Sequence, residues 1–286
     1  MANFLDNIPE LPVVDYTNQF TEWLTSKFAF FFEPIKTYFG DFLEFLSSQA
    51  SAISPIIVII IVAVLAYFSS GRKFGLMAFS IVGLLFVYNQ GLWEQLMETF
   101  TLVLTASILS VIIGVPVGIW MSKSNPAQAI ITPILDFMQT MPAFVYLIPA
   151  VAFFSIGMVP GVFASLIFAT PPTVRFTNLG IRQVPEELVE ASEAFGSTGA
   201  QKLFKVELPM AKATIMAGIN QTVMLALSMV VIASMIGAPG LGRDVLSSLQ
   251  RAEVGTGFVA GLGIVILAII MDRFTQHLNP DKEETK

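Results

Sequence analysis

Cysteine is absent from this 286-residue sequence, and histidine occurs once, at His277. The chain therefore has no disulfide framework, no thiolate chemistry and no cysteine-ligated metal, and it contains neither His-Glu-x-x-His nor Gly-x-Ser-x-Gly. Charged residues make up only 13% of the chain, and the formal net charge of −6 gives no reason to expect a nucleic-acid partner. We expect no metal site and no enzymatic activity in this chain alone.

Apolar residues are abundant instead. They make up 55% of the sequence and the mean hydropathy is +0.74, above the range of ordinary soluble domains. Seven apolar runs are suited to crossing a bilayer, some of them short. They cover residues 53–68, 74–88, 100–121, 130–154, 159–170, 213–236 and 255–271. The predicted fold class is all-α integral membrane, with about seven transmembrane helices and the lipid membrane as a partner.

Residues 1–50 form a separate, N-terminal region. Residues 1–15 are polar and predict an extended arm. Two apolar stripes at helical spacing then predict amphipathic helices at the outer membrane surface: Tyr16, Phe20, Trp23, Leu24, Phe28 and Phe31, then Ile35, Phe39, Phe42 and Leu46. The alternative, in which residues 28–46 span the bilayer, would bury four charges at about 2.5–3.5 kcal/mol each at the bilayer centre.

The longest polar segment between apolar runs is residues 184–209, called the 184–209 loop below. Pro185 suits a first helical position, Gly196 suits a helix stop, and Ser197 or Thr198 can cap a second short helix. Pro209 is expected to end that helix. The pattern predicts a helix–turn–helix projection between two spans, and a simple solvated loop is the alternative.

The spacing within this loop resembles the EAA loop of binding-protein-dependent ABC importer permeases. The family pattern is Glu-Ala-Ala, three residues, Gly, nine residues, Ile, any residue and Leu-Pro. Every spacing of this pattern is found in the loop, and two residues depart from it conservatively: Ser192 replaces Ala and Val206 replaces Ile. The matching positions are Glu190, Ala191, Ser192, Gly196, Val206, Leu208 and Pro209. The resemblance implies that the loop couples to a separate ATPase subunit, with Glu190 as the charged contact. ATP and Mg²⁺ would bind to that subunit, so no cofactor is expected in this chain.

The distribution of Lys and Arg orients the chain. If the 184–209 loop is cytoplasmic and the spans alternate, eleven basic residues are cytoplasmic and four are outside, which predicts N-terminus out and C-terminus in. By resemblance, residues 51–92 are two scaffold helices and residues 93–275 are a five-helix type I ABC importer core. Residues 276–286 are then a cytoplasmic tail.

The fourth and sixth predicted spans contain polar residues that are candidates for lining a pore or gate. They are Asp136, Gln139, Thr140 and Pro142 in the fourth span and Asn220 and Gln221 in the sixth. Two prolines within the fourth span interrupt backbone hydrogen bonds and can bend it or open a path. Ionisable residues within spans are often functional, but ion pairing and hydrogen bonding between helices are equally good explanations.

Glycine and proline residues in the remaining spans indicate where helices pack closely and where they end. Gly114 and Gly118, and later Gly257 and Gly261, are small-xxx-small pairs suited to tight helix packing. The paired prolines after residue 170 predict the end of the fifth span. An outer loop, residues 237–251, begins with a glycine-rich turn, and its charged residues are candidates for docking a binding protein: Arg243, Asp244 and Arg251.

Over about residues 95–275, the chain closely resembles the glycine betaine/proline betaine permeases within this importer family. The resemblance is carried by the segments QTMPAFVYLIP, IGMVPG and GAPGLG. That resemblance implies a homodimeric permease for a small zwitterionic solute. Its partners would be an ATP-binding subunit, an external substrate-binding protein and a second copy of itself. A permease for amino acids or another organic solute is the alternative within the family. A secondary transporter or channel is the alternative from another class, although no internal repeat is evident.

Overall fold

The computed structural model describes residues 12–72 and 74–277, and every regular element in these residues is helical. Residues 1–11 of the predicted arm and residues 278–286 of the predicted tail lie outside them. Residues 13–15, which were also predicted to be extended, begin a helix instead. Two π-helical turns, Ile35–Phe39 and Leu203–Glu207, and one 3-10 turn, Ala143–Tyr146, separate α-helices. The α-helices are α1 (Val13–Lys27), α2 (Ala29–Pro34), α3 (Gly40–Ala52), α4 (Pro55–Ser69), α5 (Phe74–Asn89), α6 (Trp93–Lys123), α7 (Asn125–Thr140), α8 (Leu147–Phe154), α9 (Met158–Arg182), α10 (Glu186–Ala194), α11 (Gly199–Lys202), α12 (Leu208–Ser234), α13 (Leu241–Arg251) and α14 (Val254–His277).

Helices α6, α9 and α12 form the centre of the fold, with α9 in the middle. Small residues permit the close approach: a Cβ on Gly114 would lie 2.8 Å from the Thr173 side chain, and one on Gly218 would lie 2.6 Å from Phe176. The hydroxyls of Thr173 and Thr222 hydrogen-bond at 2.7 Å between α9 and α12. The first predicted small-residue pair therefore does pack tightly, as membrane helices with such pairs commonly do.

The paired prolines do not end the fifth span. Helix α9 runs through Pro171 and Pro172 to Arg182, so the predicted stop after residue 170 was wrong. Both prolines are buried, and neighbouring helices supply hydroxyl donors to carbonyls beside them. Ser110 donates to the Leu166 carbonyl at 3.3 Å, and Thr222 donates to the Ala169 carbonyl at 2.8 Å. These bonds join α9 to α6 and α12 close to the proline pair.

The predicted fourth span is broken rather than continuous. Helix α7 ends at Thr140, and the segment Ala143–Phe154 leaves it at 109°. The break lies at Met141 and Pro142, both of which have extended backbone angles. Proline restricts the preceding residue to extended conformations, which explains the position of the break.

The N-terminal helices pack against the core on one side. Every residue of α1 is exposed or half-buried, whereas α2 and α3 contact the core through Phe32, stacked 4.6 Å from Phe153, and through the buried Leu43. Of the second predicted stripe, Ile35 and Phe39 pack against the core, while Phe42 is exposed. Placement of residues 1–50 at the outer surface stays a prediction.

Within residues 12–72 and 74–277, three helical segments are long and apolar enough to span a membrane: Trp93–Lys123, Gly199–Ser234 and Val254–His277. Two bent pairs of helices raise this number to five if each pair is one span, so the seven spans stay a prediction.

The second small-residue pair, Gly257 and Gly261, packs less tightly than the first. Gly257 contacts Ser248, whereas Gly261 faces open space within the described residues.

Candidate functional site

The 184–209 loop projects from the end of α9 as a short helical knob. All residues of α10 are exposed or half-buried, and Glu190 is exposed. Three large apolar side chains are also exposed in this polar loop, Leu188 by 42%, Phe195 by 93% and Phe204 by 67%. An apolar group surrounded by charges on an exposed knob is typical of a surface that binds another protein.

The turn after α10 has the features that the sequence predicted. Gly196 has φ +80°, a left-handed angle that suits glycine, and it follows the end of the helix. Thr198 caps α11 and forms a capping box with Gln201, with hydrogen bonds of 2.9 and 3.3 Å. Lys202 pairs with Glu193, and this pairing lowers the pKa of the Glu193 carboxyl below its ordinary value. These contacts hold the two arms of the knob together.

Pro209 does not end the second helix of the loop. The chain is helical from Gly199 to Ser234, and Pro209 lies near the start of α12. The π-helical turn Leu203–Glu207 comes directly before it. In a regular α-helix the proline ring would clash with the carbonyl four residues earlier, and the wider π turn relieves this clash.

The motif therefore has an exposed half and a packed half. Glu190, Ala191 and Gly196 are exposed on the knob. In contrast, Leu208 packs on a cluster that contains Ile181 and Ile215 at the base. The other three motif residues follow this division less closely. Ser192 is half-buried and donates to the Val189 carbonyl within α10 at 2.7 Å, Val206 is half-buried in the π turn, and Pro209 is exposed.

Two further contacts at the base of the loop involve residues outside the motif's specified positions. Glu207 is 4% exposed and forms an ion pair with Lys123 at the end of α6. Arg182, at the end of α9, donates to the Met121 carbonyl and to Asn125 Oδ1, both at 2.9 Å. Sequence reasoning listed these residues only as charges of a cytoplasmic loop. The burial of Glu207 could have been suspected from its position in an otherwise apolar segment, Val-Glu-Leu-Pro.

The candidate residues of the broken span lie in different settings. Asp136 forms an ion pair with Arg175 of α9, which agrees with the pairing explanation. Thr140 donates to the Phe137 carbonyl at 3.0 Å, while Gln139 and Pro142 are exposed near the break.

The two polar candidates of α12 point to different sides of the helix. Asn220 donates to Asp272 of α14 at 3.0 Å and accepts from Thr275, so its amide bonds two helices together. Gln221 is exposed. It lies on an exposed stripe of α12 at helical spacing, which is poor in large aliphatic side chains and contains Met210, Ala217, Gln221, Met224, Ser228 and Met235.

The outer loop contains two tight turns followed by α13. Gly237 and Gly240 have φ of +83° and +107°, and the Leu241 amide donates to Thr99 Oγ1 at 2.9 Å, which anchors the loop to α6. Arg243 and Arg251 are exposed, near an exposed Leu249. In contrast, Asp244 is half-buried, and burial raises the pKa of its carboxyl, against a smaller opposing effect of the Arg243 charge.

Comparison with known proteins agrees with this architecture. The family model described as "Binding-protein-dependent transport system inner membrane component" matches residues 110–284. The solved structure of the MetNI methionine ABC transporter, in an inward-facing conformation, aligns with a TM-score of 0.58 at 22% identity. This alignment covers 65% of the present chain and 95% of the transporter chain. At that identity the likeness shows a common fold alone.

Three relatives align over nearly all of this chain. A glycine betaine/carnitine transport permease protein of Listeria monocytogenes is 55% identical over 277 residues, 96% of this chain and 98% of that protein. A glycine betaine transport system permease protein of Bacillus subtilis is 50% identical over 279 residues, 98% of each. A glycine betaine/proline betaine transport system permease protein of Escherichia coli is 46% identical over 275 residues, 95% of this chain and 76% of that protein. This chain therefore belongs to the family of inner-membrane permease components of binding-protein-dependent ABC transport systems.

Proposed function

We propose that this chain is the permease subunit of an ATP-driven importer for a compatible solute such as glycine betaine or proline betaine. One observation carries the choice of solute. The relatives whose names include these betaines are 46–55% identical and align over at least 95% of this chain, scaffold region included. The all-helical fold and the exposed loop support the permease role, and hydrolysis of ATP takes place on a separate subunit.

The exposed half of the 184–209 loop is the ATPase contact in this proposal. Glu190 provides the charge, Leu188 and Phe195 provide apolar surface, and Gly196 allows the turn that shapes the knob. Buried aromatic anchors commonly dominate protein interfaces, so the 93% exposed Phe195 is a candidate anchor. Val206, Leu208 and Pro209 support the knob from its base, and ATP and Mg²⁺ stay on the partner.

The solute path lies beside α12 and the broken span. A side of a membrane helix that faces lipid is typically rich in large aliphatic residues, as the exposed isoleucines of α4 illustrate. The exposed stripe of α12 containing Gln221 instead combines polar and methionine side chains. We assign this stripe, with Gln139, Thr140 and Pro142 at the break, to the pore between two copies of the chain. Asp136 and Asn220 act through their helix contacts.

The outer loop docks the substrate-binding protein. Arg243, Leu249 and Arg251 form its exposed surface, and Asp244 supports that surface from a half-buried position. This assignment places the N-terminus outside, the C-terminus inside and the 184–209 loop in the cytoplasm. The binding protein makes the main choice of solute, since an aromatic cage suited to a quaternary ammonium group belongs there.

Reconstituted transport tests the proposal. Vesicles would contain this permease, its ATP-binding subunit and its binding protein, and uptake of labelled glycine betaine, proline betaine and an amino acid would be measured with and without ATP. We expect ATP-dependent uptake of a betaine that requires the binding protein. Preferred uptake of the amino acid would support the alternative within the family, and uptake without ATP would contradict the importer mechanism.

A further inference from the structure

Both ends of the 184–209 loop converge on one structural feature, the turn that joins α6 to α7. From the end before the loop, Arg182 Nη2 reaches the Met121 carbonyl and Asn125 Oδ1, each at 2.9 Å. From the end after the loop, Glu207 pairs with Lys123. The loop therefore contacts residues 121–125 from two directions, although more than fifty residues separate them in sequence.

Burial makes the second contact a strong one. Glu207 is 4% exposed, so its carboxylate depends on Lys123 for compensation. The Lys123 side chain is 39% exposed, so the pair is buried on the carboxylate side, and loss of Lys123 would leave the buried Glu207 carboxylate without its partner, which is unfavourable. The first contact is also oriented, because Arg182 Nε donates to Asn178 Oδ1 at 3.1 Å and thereby holds the guanidinium in place.

Helix α7 begins at this turn and has few buried residues. Only Ala127 and Leu135 are buried along it, whereas nearly half of α6 and most of α9 are buried. Its other charged contact is the ion pair between Asp136 and Arg175. The far end of α7 is the 109° break at the start of the Ala143–Phe154 segment.

We propose that Arg182 and the Lys123–Glu207 pair form a clamp that makes α7 follow the motion of the 184–209 loop. This inference rests on the proposed coupling function of that loop. The three residues are positioning residues: they contact neither ATP nor solute, and they carry displacement of α10 to the start of the broken span. Without the clamp, the loop moves with α9 and α12, and the start of α7 stays behind, while the Asp136–Arg175 pair still joins its later part to α9.

Charge exchange tests the ion pair. Glu207→Gln and Lys123→Glu each remove the attraction, and the double variant Lys123→Glu/Glu207→Lys restores it in reverse. We expect each single variant to lower betaine uptake by about tenfold, the scale of one charge-assisted hydrogen bond. Basal ATP hydrolysis and copurification of the ATPase subunit stay near the parent's, and the exchange recovers at least part of the uptake. Lys212→Glu, a charge reversal at an exposed position of α12, is the matched control.

Site-specific labels test the motion itself, and the absence of cysteine in the parent makes them selective. One spin label is placed at the exposed Ala129 on α7 and, in a separate sample, one at the exposed Ala200 in the loop. Distances between the two copies of each label are measured with and without ATP. In the parent we expect both distances to change. In Arg182→Ala we expect the change at Ala200 to persist and the change at Ala129 to disappear, with partial recovery in Arg182→Lys.

The outcomes separate the clamp from the coupling function beneath it. An unchanged Ala200 distance in the parent would contradict the coupling function, and the clamp with it. A full ATP-dependent change at Ala129 in Arg182→Ala, together with a normal change at Ala200, would overturn the clamp alone. Failure of the charge exchange to recover any uptake in a correctly assembled complex would overturn the role of the Lys123–Glu207 pair.

Discussion

Gly118 of α6 lies directly against Thr177 of α9, so closely that a Cβ on Gly118 would be 2.5 Å from the Thr177 Cβ. The same Cβ would be 2.7 Å from the Val174 carbonyl, which is rigid backbone. Both helices end at the base of the proposed coupling loop. The close approach therefore sets the spacing of the platform from which the 184–209 loop projects.

We expect Gly118→Val to separate α6 from α9 and to destabilise the permease by about 1–3 kcal/mol, because added atoms in a tight core force backbone shifts. The measurement is thermal unfolding of the purified permease in detergent, followed by loss of the monodisperse species. Gly261→Val on α14 is the control, since that glycine faces open space. Equal stability of Gly118→Val and the parent would contradict the packing argument.

Glu190→Lys and Gly196→Val are expected to abolish solute-stimulated ATP hydrolysis while the permease still folds. Glu190 is exposed, and Gly196 has φ +80°, an angle that a β-branched residue strongly disfavours. Reconstituted complexes provide the measurement, with stimulated and basal hydrolysis compared. Glu186→Lys makes the same charge change elsewhere on α10 and should remain close to the parent. Full solute stimulation of ATP hydrolysis in both variants would contradict the assignment of Glu190 and Gly196 to ATPase coupling.

A single cysteine at Asn18 is expected to react with a membrane-impermeant maleimide from outside the cell. Asn18 is exposed on α1, and the outer location follows from the distribution of basic residues. The parent gives no background because it has no cysteine. A cysteine at Ala200, in the 184–209 loop, should react only after the membrane is opened. Reversal of the two labelling patterns would show that the topology is wrong.

Reversal of both exposed arginines, Arg243→Glu/Arg251→Glu, is expected to weaken capture of the binding protein and leave basal ATP hydrolysis intact. Charges at an interface rim mainly alter association rate and its salt dependence. Uptake would be measured against binding-protein concentration at several salt concentrations, with Lys27→Glu as an outer-surface control. The docking role fails if half-maximal uptake needs no more binding protein than in the parent, with the same response to salt.

Local signals in the sequence were sufficient wherever one residue's own chemistry decides the structure. The stop at Gly196 and the cap at Thr198 depend on backbone angles and on a hydroxyl three residues from its partner, so the pattern predicted them correctly. Proline was harder to interpret. The break at Pro142 was expected as a bend, but Pro171 and Pro172 lie buried within a continuous helix that packs between α6 and α12.

By itself, the sequence determined the all-helical membrane class, through its composition, and its resemblance to known permeases indicated the family and the position of the proposed coupling motif. Only the tertiary structure decided which polar residues pair with each other. Asn220 bonds to Asp272, and Glu207 is buried against Lys123, across 52 and 84 residues respectively. The energies of such contacts depend on distance and burial in the folded state. Neither quantity is encoded in the local pattern around either partner.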